Sequence, residues 1–277
     1  NKTLQILCTR WAFTYRVQLK SGSEIHMIKV ILCGASGRMG GFVASTAAAD
    51  SDISVVAGVD KINNGEKFPI FSSFGDINVK ADMIIDFSHP SMLEPMLEYA
   101  VKNKLPVVIA TTGYDNAQTE KIRAAAENIP IFFTFNMSLG INLVAALAKK
   151  AAKVLGDGFD IEIIEKHHNQ KLDAPSGTAI MLANGINSVF GDTLNYEYDR
   201  HSVRRKRPKN EIGIHSVRGG TIVGEHEVIF AGHDEVITLT HTAQSREIFA
   251  VGAVKAAKFL YGKPAGLYDM SNVTNIE

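Results

Sequence analysis

A glycine-rich turn near the start of the chain limits the possible fold more than any other feature. The apolar run Ile28 to Cys33 leads directly into Gly34-Ala-Ser-Gly-Arg-Met-Gly40, and an alanine-rich segment continues to about Ala49. A short, continuous apolar run is typical of a strand buried on both faces. A strand, a glycine turn and a helix in this order form the first half of a parallel βαβ unit.

An acidic residue at the end of the next strand supports a dinucleotide site. The second predicted strand, Ile53 to Val59, ends in Asp60, which follows Gly40 by 20 residues. Dinucleotide-binding units place their ribose-binding carboxylate at this distance. The glycine spacing is G-x-x-G-x-x-G rather than G-x-G-x-x-G, so the prediction depends on strand, helix and acid together. Lys61 could attract a 2′-phosphate, so the pair predicts use of both NADH and NADPH, with a solvated loop lysine as the alternative.

Three further strands alternate with helices, as in a doubly wound α/β sheet. They are predicted at 83–87, 106–110 and 131–135, with helices at 92–103 and 116–127. Ligands of such sheets lie outside the carboxyl ends of the strands, so these strand ends are expected to line the nicotinamide half of the cofactor. The residues predicted to bind the cofactor are Gly34, Ala35, Ser36, Gly37, Arg38, Met39, Asp60, Lys61, Ala110, Thr111, Thr112, Thr134, Phe135, Asn136 and Met137.

After a predicted helix at 138–155, the pattern changes to strands of another kind. They are predicted at 160–166, 211–218, 221–231 and 235–243, and short turns join the last three, which are expected to pair antiparallel. A last helix, at 246–261, is expected to return to the first domain. The predicted fold class is α/β, with a Rossmann-type dinucleotide-binding domain (27–137 and 246–277). The second domain (138–245) is predicted to be a smaller α+β domain with a mixed open sheet, for substrate binding and self-association.

The densest chemical cluster lies between the strand at 160–166 and the helix that follows Ser176. His167, His168 and Lys171 fall within five positions, and Pro175 and Ser176 are helix start signals. A helix N-terminus with unpaired N–H groups, facing two imidazoles and an ammonium, suits a carboxylate. Zinc is the alternative, but adjacent histidines on a strand point to opposite faces and no cysteine is near. No metal is therefore expected.

Composition argues against several classes of partner. The 29 Lys and Arg residues balance 29 Asp and Glu residues, so no net field attracts nucleic acid or an acidic membrane. No apolar run approaches the ~20 residues that span a bilayer. The basic run 203–209 lacks interleaved aromatics and is expected to be a solvated loop. Cys8 and Cys33 form no disulfide framework, which fits a reducing cytoplasm.

The first 26 residues show no clean hydrophobic period and contain the single Trp. The junction His26-Met27 resembles what a cloning site leaves before an initiator Met. We therefore expect residues 1–26 to be a vector-derived or disordered leader, with Met27 as the true start.

From Met27 onward, the chain resembles the 4-hydroxy-tetrahydrodipicolinate reductase (dihydrodipicolinate reductase) family. The resemblance is carried by the glycine turn and by four further segments. These are Thr111-Thr-Gly113, Glu165-Lys-His-His-Asn-Gln-Lys-Leu-Asp-Ala-Pro-Ser-Gly-Thr-Ala179, Gly224-Glu-His226 and His241-Thr-Ala-Gln-Ser-Arg246. Ala110 departs from the glycine that many members have before Thr-Thr-Gly.

The resemblance implies reduction of a cyclic imine dicarboxylate to tetrahydrodipicolinate with NADH or NADPH, on the diaminopimelate route to lysine. It implies proton transfer at His167, proton donation by Lys171, and substrate binding at His168, Gly177 and Thr178. Ser176 is added because it opens the helix that suits a substrate carboxylate. The resemblance also implies a homotetramer.

Two other functions stay open at this point. One is a related NAD(P)-dependent dehydrogenase acting on aspartate or a similar small acid, which leaves the histidine and lysine cluster unexplained. The other is a redox-sensing regulator that binds NAD(P)H, for which the sequence offers no DNA-binding element.

Overall fold

A computed structural model describes residues 27–274 of the chain. The predicted leader, residues 1–26, and the last three residues, 275–277, lie outside the described residues. The strands are, in chain order, β1 (Ile28–Cys33), β2 (Ile53–Val59), β3 (Ile70–Phe71), β4 (Met83–Asp86), β5 (Val107–Ile109), β6 (Pro130–Phe133), β7 (Asp160–His167), β8 (Asn195–Glu197), β9 (Glu211–Arg218), β10 (Gly224–Ala231), β11 (Val236–Ala243) and β12 (Gly266–Tyr268). The α-helices are α1 (Arg38–Ala48), α2 (Leu93–Asn103), α3 (Asn116–Ala126), α4 (Leu139–Leu155), α5 (Gly177–Asn187), α6 (Glu247–Leu260) and α7 (Met270–Thr274).

The first sheet is parallel throughout and has helices on both faces. Its strand order is β12-β6-β5-β4-β1-β2-β3. Every residue of β4 and β5 is buried, which explains why these strands are apolar apart from Asp86 at the end of β4. Helices α1 and α6 pack on one face, and α2 and α3 pack on the other. The prediction of a Rossmann-type α/β fold is therefore confirmed.

Helix α6 returns to the first sheet, as the sequence predicts. Its buried face includes Ala250, Ala253 and Ala257, which belong to the same core as β1 and β4. The contact is close because a Cβ added at Gly252 would lie 1.7 Å from the main-chain oxygen of Met137. The small residues of α6 thus bring this helix against the segment that leaves β6.

The second sheet is mixed, with the strand order β11-β10-β7-β9-β8. The predicted antiparallel pairing of β10 with β11 is confirmed, whereas the predicted pairing of β9 with β10 is wrong. Strand β7 lies between them, parallel to β9 and antiparallel to β10. Ile161, Ile163 and Glu165, on the face of β7 that the helices cover, are at most 3% exposed. As the central strand, β7 pairs along its length with a neighbour on each side.

A short connection between β9 and β10, residues 219–223, makes this order possible by crossing the carboxyl end of β7. The main-chain N–H of Gly219 donates to the oxygen of His167 (2.9 Å), and that of Asn169 donates to Gly220 (3.2 Å). The glycine pair therefore bridges over β7 instead of turning a tight hairpin. It also fixes the point at which the loop after His167 begins.

Helices α4 and α5 cover one face of the second sheet, and charged side chains occupy the other face. The basic run 203–209 is a loop, as predicted, but it is not uniformly solvated. The side chain of Arg207 is only 17% exposed and contacts Asp160 at 3.0 Å and Glu162 at 2.9 Å. Arg207 thus ties this loop to β7.

Candidate active site

The glycine turn forms a cradle of main-chain atoms at the end of β1. Gly34 has a φ of +79°, and a Cβ there would lie 2.4 Å from the Phe87 oxygen. A Cβ at Gly40 would lie 2.3 Å from the Gly34 oxygen. Helix α1 has no side-chain cap and no acidic residue in its first turn. Its N–H groups are left for an anion such as a pyrophosphate, so this turn fits a dinucleotide.

Asp60 lies against this turn, where the sequence places it. Its Oδ2 accepts a hydrogen bond from the main-chain N–H of Ser36 (3.0 Å), and its Oδ1 accepts one from that of Lys61 (2.7 Å). A first cavity of about 500 Å³ is lined by residues of the turn and by both members of the Asp60–Lys61 pair. The carboxylate and the ammonium are thus at the same cavity wall.

A second cavity, of about 410 Å³, brings together the three strand ends predicted to face the nicotinamide. Its wall includes predicted cofactor residues from two of these strand ends, Ala110, Thr111, Thr112, Phe135, Asn136 and Met137, and from α1, Met39; the end of β4 contributes Phe87 to Pro90, which were not predicted. Four other predicted residues, Ala35, Ser36, Arg38 and Thr134, line neither this cavity nor the first. Ala35 is buried, and Ser36 Oγ donates to the Ile62 oxygen (2.6 Å).

A buried carboxylate that was not predicted supports this second cavity. Asp86, at the end of β4, is 1% exposed and accepts hydrogen bonds from the Ser88 main chain (3.1 Å) and the Tyr114 hydroxyl (3.3 Å). Burial raises its pKa, although these hydrogen bonds oppose the shift. Asp86 thereby joins the turn after β4 to the loop after β5.

A third cavity, of about 320 Å³, contains most of the predicted substrate cluster. It is lined by His167, Lys171, Asp173, Ser176, Gly177, Thr178 and Met181, together with Thr112, Phe135 and Asn136. The last three also line the second cavity, so the two adjoin. The side-chain amide of Asn136 donates to Thr178 Oγ1 (3.0 Å), which links the first sheet to α5.

Helix α5 presents its N-terminus to the third cavity. Ser176 is the N-cap, with its Oγ accepting from the Ala179 N–H (3.1 Å), and the first turn has no acidic residue. The amine of Lys171 lies 2.9 Å from Asp173 Oδ1, and its side chain is 21% exposed. The cavity therefore combines the Lys171 ammonium, partly offset by Asp173, with the positive end of α5, and both favour an anionic ligand.

Two histidines stand behind the cavity in a largely buried pair. The ring centroids of His167 and His226 are 5.1 Å apart. Burial lowers the pKa of His226 to about 4, and burial also lowers that of His167 despite the neighbouring Glu165. His226 Nε2 lies 2.9 Å from Ser176 Oγ.

His168 is the one predicted substrate residue that does not line the third cavity. It follows His167 at the end of β7, and its Nε2 lies 3.5 Å from Arg246 Nη2. Its Nδ1 is buried and has no hydrogen-bond partner. No group of three or more potential metal ligands occurs among residues 27–274. None of the helices described is long and apolar enough to cross a membrane.

Three further residues near the cavity, Glu165, Arg218 and His226, were not predicted as site residues. Glu165 is 0% exposed and lies 2.6 Å from His167 Nδ1. Arg218 pairs with Glu165 at 2.7 Å. The Glu-x-His spacing on a strand places Glu165 and His167 on one face, which is the signal that could have found the first of them.

Known proteins match this chain along almost all of its described length. The family model for the N-terminus of dihydrodipicolinate reductase matches residues 28–137 of this chain, and the family model for its C-terminus matches residues 140–274. A 4-hydroxy-tetrahydrodipicolinate reductase of Caldanaerobacter subterraneus subsp. tengcongensis is 52% identical over 247 residues, 89% of this chain and 98% of that protein. The protein of the same name from Clostridium novyi is 49% identical over 248 residues, 89% of this chain and 98% of that one.

A solved structure of a protein with the same family name also resembles this chain. Dihydrodipicolinate reductase from Paenisporosarcina sp. TG-14, in a dipicolinate-bound structure, aligns with a TM-score of 0.73 at 27% identity. The alignment covers 91% of this chain and 100% of that chain.

Proposed function

The chain belongs to the dihydrodipicolinate reductase family, whose reaction is the reduction of 4-hydroxy-tetrahydrodipicolinate with NADH or NADPH, and we propose that His167 and Lys171 handle its protons. One observation carries this proposal: the cavity with His167, Lys171 and the α5 N-terminus adjoins the cavity at the strand ends of the first sheet. The alternative of a dehydrogenase for aspartate or a similar acid lacks support, because both family models and the relatives match the reductase.

The glycine cradle and the strand ends are the parts that hold the coenzyme. When bound, NADH or NADPH supplies the hydride. Gly34, Gly37 and the α1 N-terminus would hold its pyrophosphate, and Asp60 and Lys61 would face its ribose. The second cavity, with Thr111 and Thr112, takes the nicotinamide end.

The third cavity is the proposed substrate site. The Paenisporosarcina relative was solved with dipicolinate, a flat dicarboxylate, bound. A carboxylate of the substrate fits the α5 N-terminus at Gly177 and Thr178, because the first turn of α5 has no acidic residue, while the Ser176 N–H donates to Glu165. His168 contacts Arg246 and does not line this cavity. We propose the segment at 245–246 as one hinge of domain closure, which would bring His168 to the substrate.

Lys171 and His167 are placed for proton handling. Asp173 holds the Lys171 ammonium at the cavity wall, where it can protonate the atom on which negative charge develops during reduction. His167 lies beside it, neutral near pH 7 because burial lowers its pKa. A neutral imidazole can pass a proton on without holding a fixed charge.

The two sheets divide the work. Residues 27–137 and 246–274 form the dinucleotide-binding domain, and residues 138–245 form the substrate-binding and oligomerisation domain. We propose a homotetramer built through the second sheet, whose edge strand β11 exposes Val236 by 63% and Ile237 by 36%. The cytoplasm is the proposed location, since the family acts in amino-acid biosynthesis and Cys33 is a free, buried thiol.

A single assay tests the function. The purified protein is mixed with NADH and substrate made fresh by condensing pyruvate with aspartate semialdehyde. Loss of NADH absorbance only when both precursors have been condensed is expected. Oxidation of NADH without the condensed substrate, or none with it, contradicts the proposal; a regulator would bind NADH without oxidising it. A crystal with coenzyme and pyridine-2,6-dicarboxylate should place the inhibitor against Lys171 and the α5 N-terminus.

A further inference from the structure

The carboxylate of Glu165 is completely buried and receives four hydrogen bonds. Its Oε2 lies 2.6 Å from His167 Nδ1 and accepts from Arg218 Nη1 (2.8 Å). Its Oε1 accepts from Arg218 Nη2 (2.7 Å) and from the main-chain N–H of Ser176 (3.1 Å). Burial opposes its charge, but the Arg218 and His167 hydrogen bonds outweigh it and lower the pKa to about 2. Glu165 is therefore an anion throughout the neutral range.

Because this carboxylate has no hydrogen to give, the hydrogen of the His167 contact must belong to Nδ1. Neutral His167 then has a lone pair on Nε2. The space beside Nε2 is kept open by Gly224 on β10, since a Cβ there would lie 3.1 Å from that atom. The nitrogen that can exchange a proton is thus the one away from Glu165.

Arg218 connects the same carboxylate to the lysine loop. Beyond its two bonds to Glu165, its Nη2 donates to the main-chain oxygen of Asp173 (2.6 Å). The side chain of Asp173 in turn holds Lys171 (2.9 Å). The Arg218 guanidinium therefore contacts both Glu165, which is bonded to His167, and the backbone of Asp173, whose side chain is bonded to Lys171.

The order of the second sheet explains how these groups meet. Glu165 and His167 share one face of β7, and Arg218 is the register partner of His167 on β9. The glycine connection over the end of β7 follows Arg218 directly, so β9 must end beside His167. The charged or titratable groups that face His167 are Glu165 on β7, Arg218 on β9, His226 on β10 and Lys171 in the loop.

We propose that Glu165 and Arg218 are a positioning pair for the reaction. Glu165 fixes His167 in the Nδ1–H tautomer, and Arg218 fixes Glu165 and the Asp173 backbone together, which sets the distance between His167 and Lys171. This inference rests on the proposed roles of those two residues. Neither member of the pair lines the third cavity, so both act through the residues that do.

The test combines kinetics with ¹⁵N NMR of the histidine rings in Glu165→Gln and Arg218→Lys, each in the full chain. Glu165→Gln is expected to lower kcat by about 10²-fold, to leave the NADH Kd within about twofold, and to reduce the Nδ1–H population of His167. Arg218→Lys keeps the positive charge but loses the bidentate hydrogen bonding to Glu165. It is expected to lower kcat and to leave the NADH Kd unchanged. The double variant should lose little more than Glu165→Gln alone, because the two act as one unit.

Glu197 and Arg205 provide matched controls. They form an exposed ion pair (3.0 Å) outside the three cavities, so Glu197→Gln and Arg205→Lys are expected to leave kcat and the His167 ring signals unchanged. An unaltered His167 tautomer in Glu165→Gln, or fully additive losses in the double variant, would overturn the inference. If Glu165→Gln does not fold, an unchanged kcat in Arg218→Lys overturns it instead. Failure of the proposed role of His167 would be recognised separately, because His167→Ala would then keep the wild-type kcat.

Discussion

The coenzyme region is formed mainly by main-chain atoms, whereas the substrate region is formed mainly by ionisable side chains. The glycine turn after β1 is shaped by main-chain atoms in close approach, as at Gly34 and Gly40. The third cavity is instead backed by buried ionisable side chains, as at Glu165 and His226. This difference predicts that the first region responds to added volume, whereas the second responds to charge and pH.

The largest effect should come from removing a charge at the substrate region. Lys171→Ala is expected to lower kcat by ~10²-fold or more with little change in NADH affinity, because the proton donor is lost while the glycine cradle is intact. Steady-state kinetics and NADH titration measure both. The exposed Lys102 on α2 gives the control Lys102→Ala, which should retain wild-type kcat. A parallel loss of NADH affinity in Lys171→Ala would break the distinction between the regions.

The substrate region should also make stability depend on pH through His226. Its pKa is about 4 in the folded protein and 6.5 in the unfolded chain, so the unfolded chain binds more protons between these values. Its contribution is complete above pH 6.5 and is lost as pH falls towards 4, about 3 kcal/mol in all and about 2 kcal/mol by pH 5. Denaturant unfolding at pH 7 and pH 5 should therefore show a smaller loss for His226→Gln than for the wild type.

The exposed His233 serves as a comparison for that experiment. Its side chain is 99% exposed, so His233→Gln should keep the wild-type pH dependence. If His226→Gln and His233→Gln lose stability equally between pH 7 and pH 5, the buried imidazole is not the source.

Adding one methyl group tests the main-chain character of the coenzyme region. Gly40→Ala would place a Cβ 2.3 Å from the Gly34 oxygen, so the turn must shift and NADH affinity should fall by about 2 kcal/mol, roughly 30-fold. Gly41→Ala is the matched control, since nothing lies within 4 Å of its added Cβ. It should keep NADH affinity and stabilise the helix by about 0.5–1 kcal/mol. Equal NADH affinities in the two variants would contradict the close approach.

The smallest effect concerns Asp60 and Lys61 at the wall of the first cavity. Asp60→Ala is expected to weaken NADH about tenfold and NADPH less, because a carboxylate hydrogen-bonds the ribose of NADH but repels a 2′-phosphate. Lys61→Ala should have the opposite preference. Titration with both coenzymes measures the ratio, and an equal loss of both in Asp60→Ala would show that the carboxylate does not contact the ribose.

The first sheet could be predicted closely because its strands are buried on both faces and therefore have continuous apolar sequences. Strands β3, β8 and β12 were missed, since two or three residues cannot show a period. The pairing of β9 with β10 was predicted wrongly because a short glycine connection usually indicates a hairpin, whereas residues 219–223 cross the end of β7, which lies between the two strands.

The candidate site was predictable to the extent that its residues are close in sequence. The cluster from His167 to Thr178 was identified from one segment, and alternation along β7 already separates His168 from His167. Arg218 and His226 reach the same place from β9 and β10, so only the sheet order brings them to His167. Asp86 was not identified because a single acid at the end of a buried strand has no distinguishing spacing.

The return of α6 to the first sheet has a consequence for biosynthesis on the ribosome. The face of β1 and β4 that Ala250, Ala253 and Ala257 cover is translated long before the helix that covers it. Residues 138–245, 108 in number, must be made in between, which takes roughly 5 to 20 s at ordinary elongation rates. During that interval α1 covers only part of this face, so the core of the first sheet is completed only when α6 has been made.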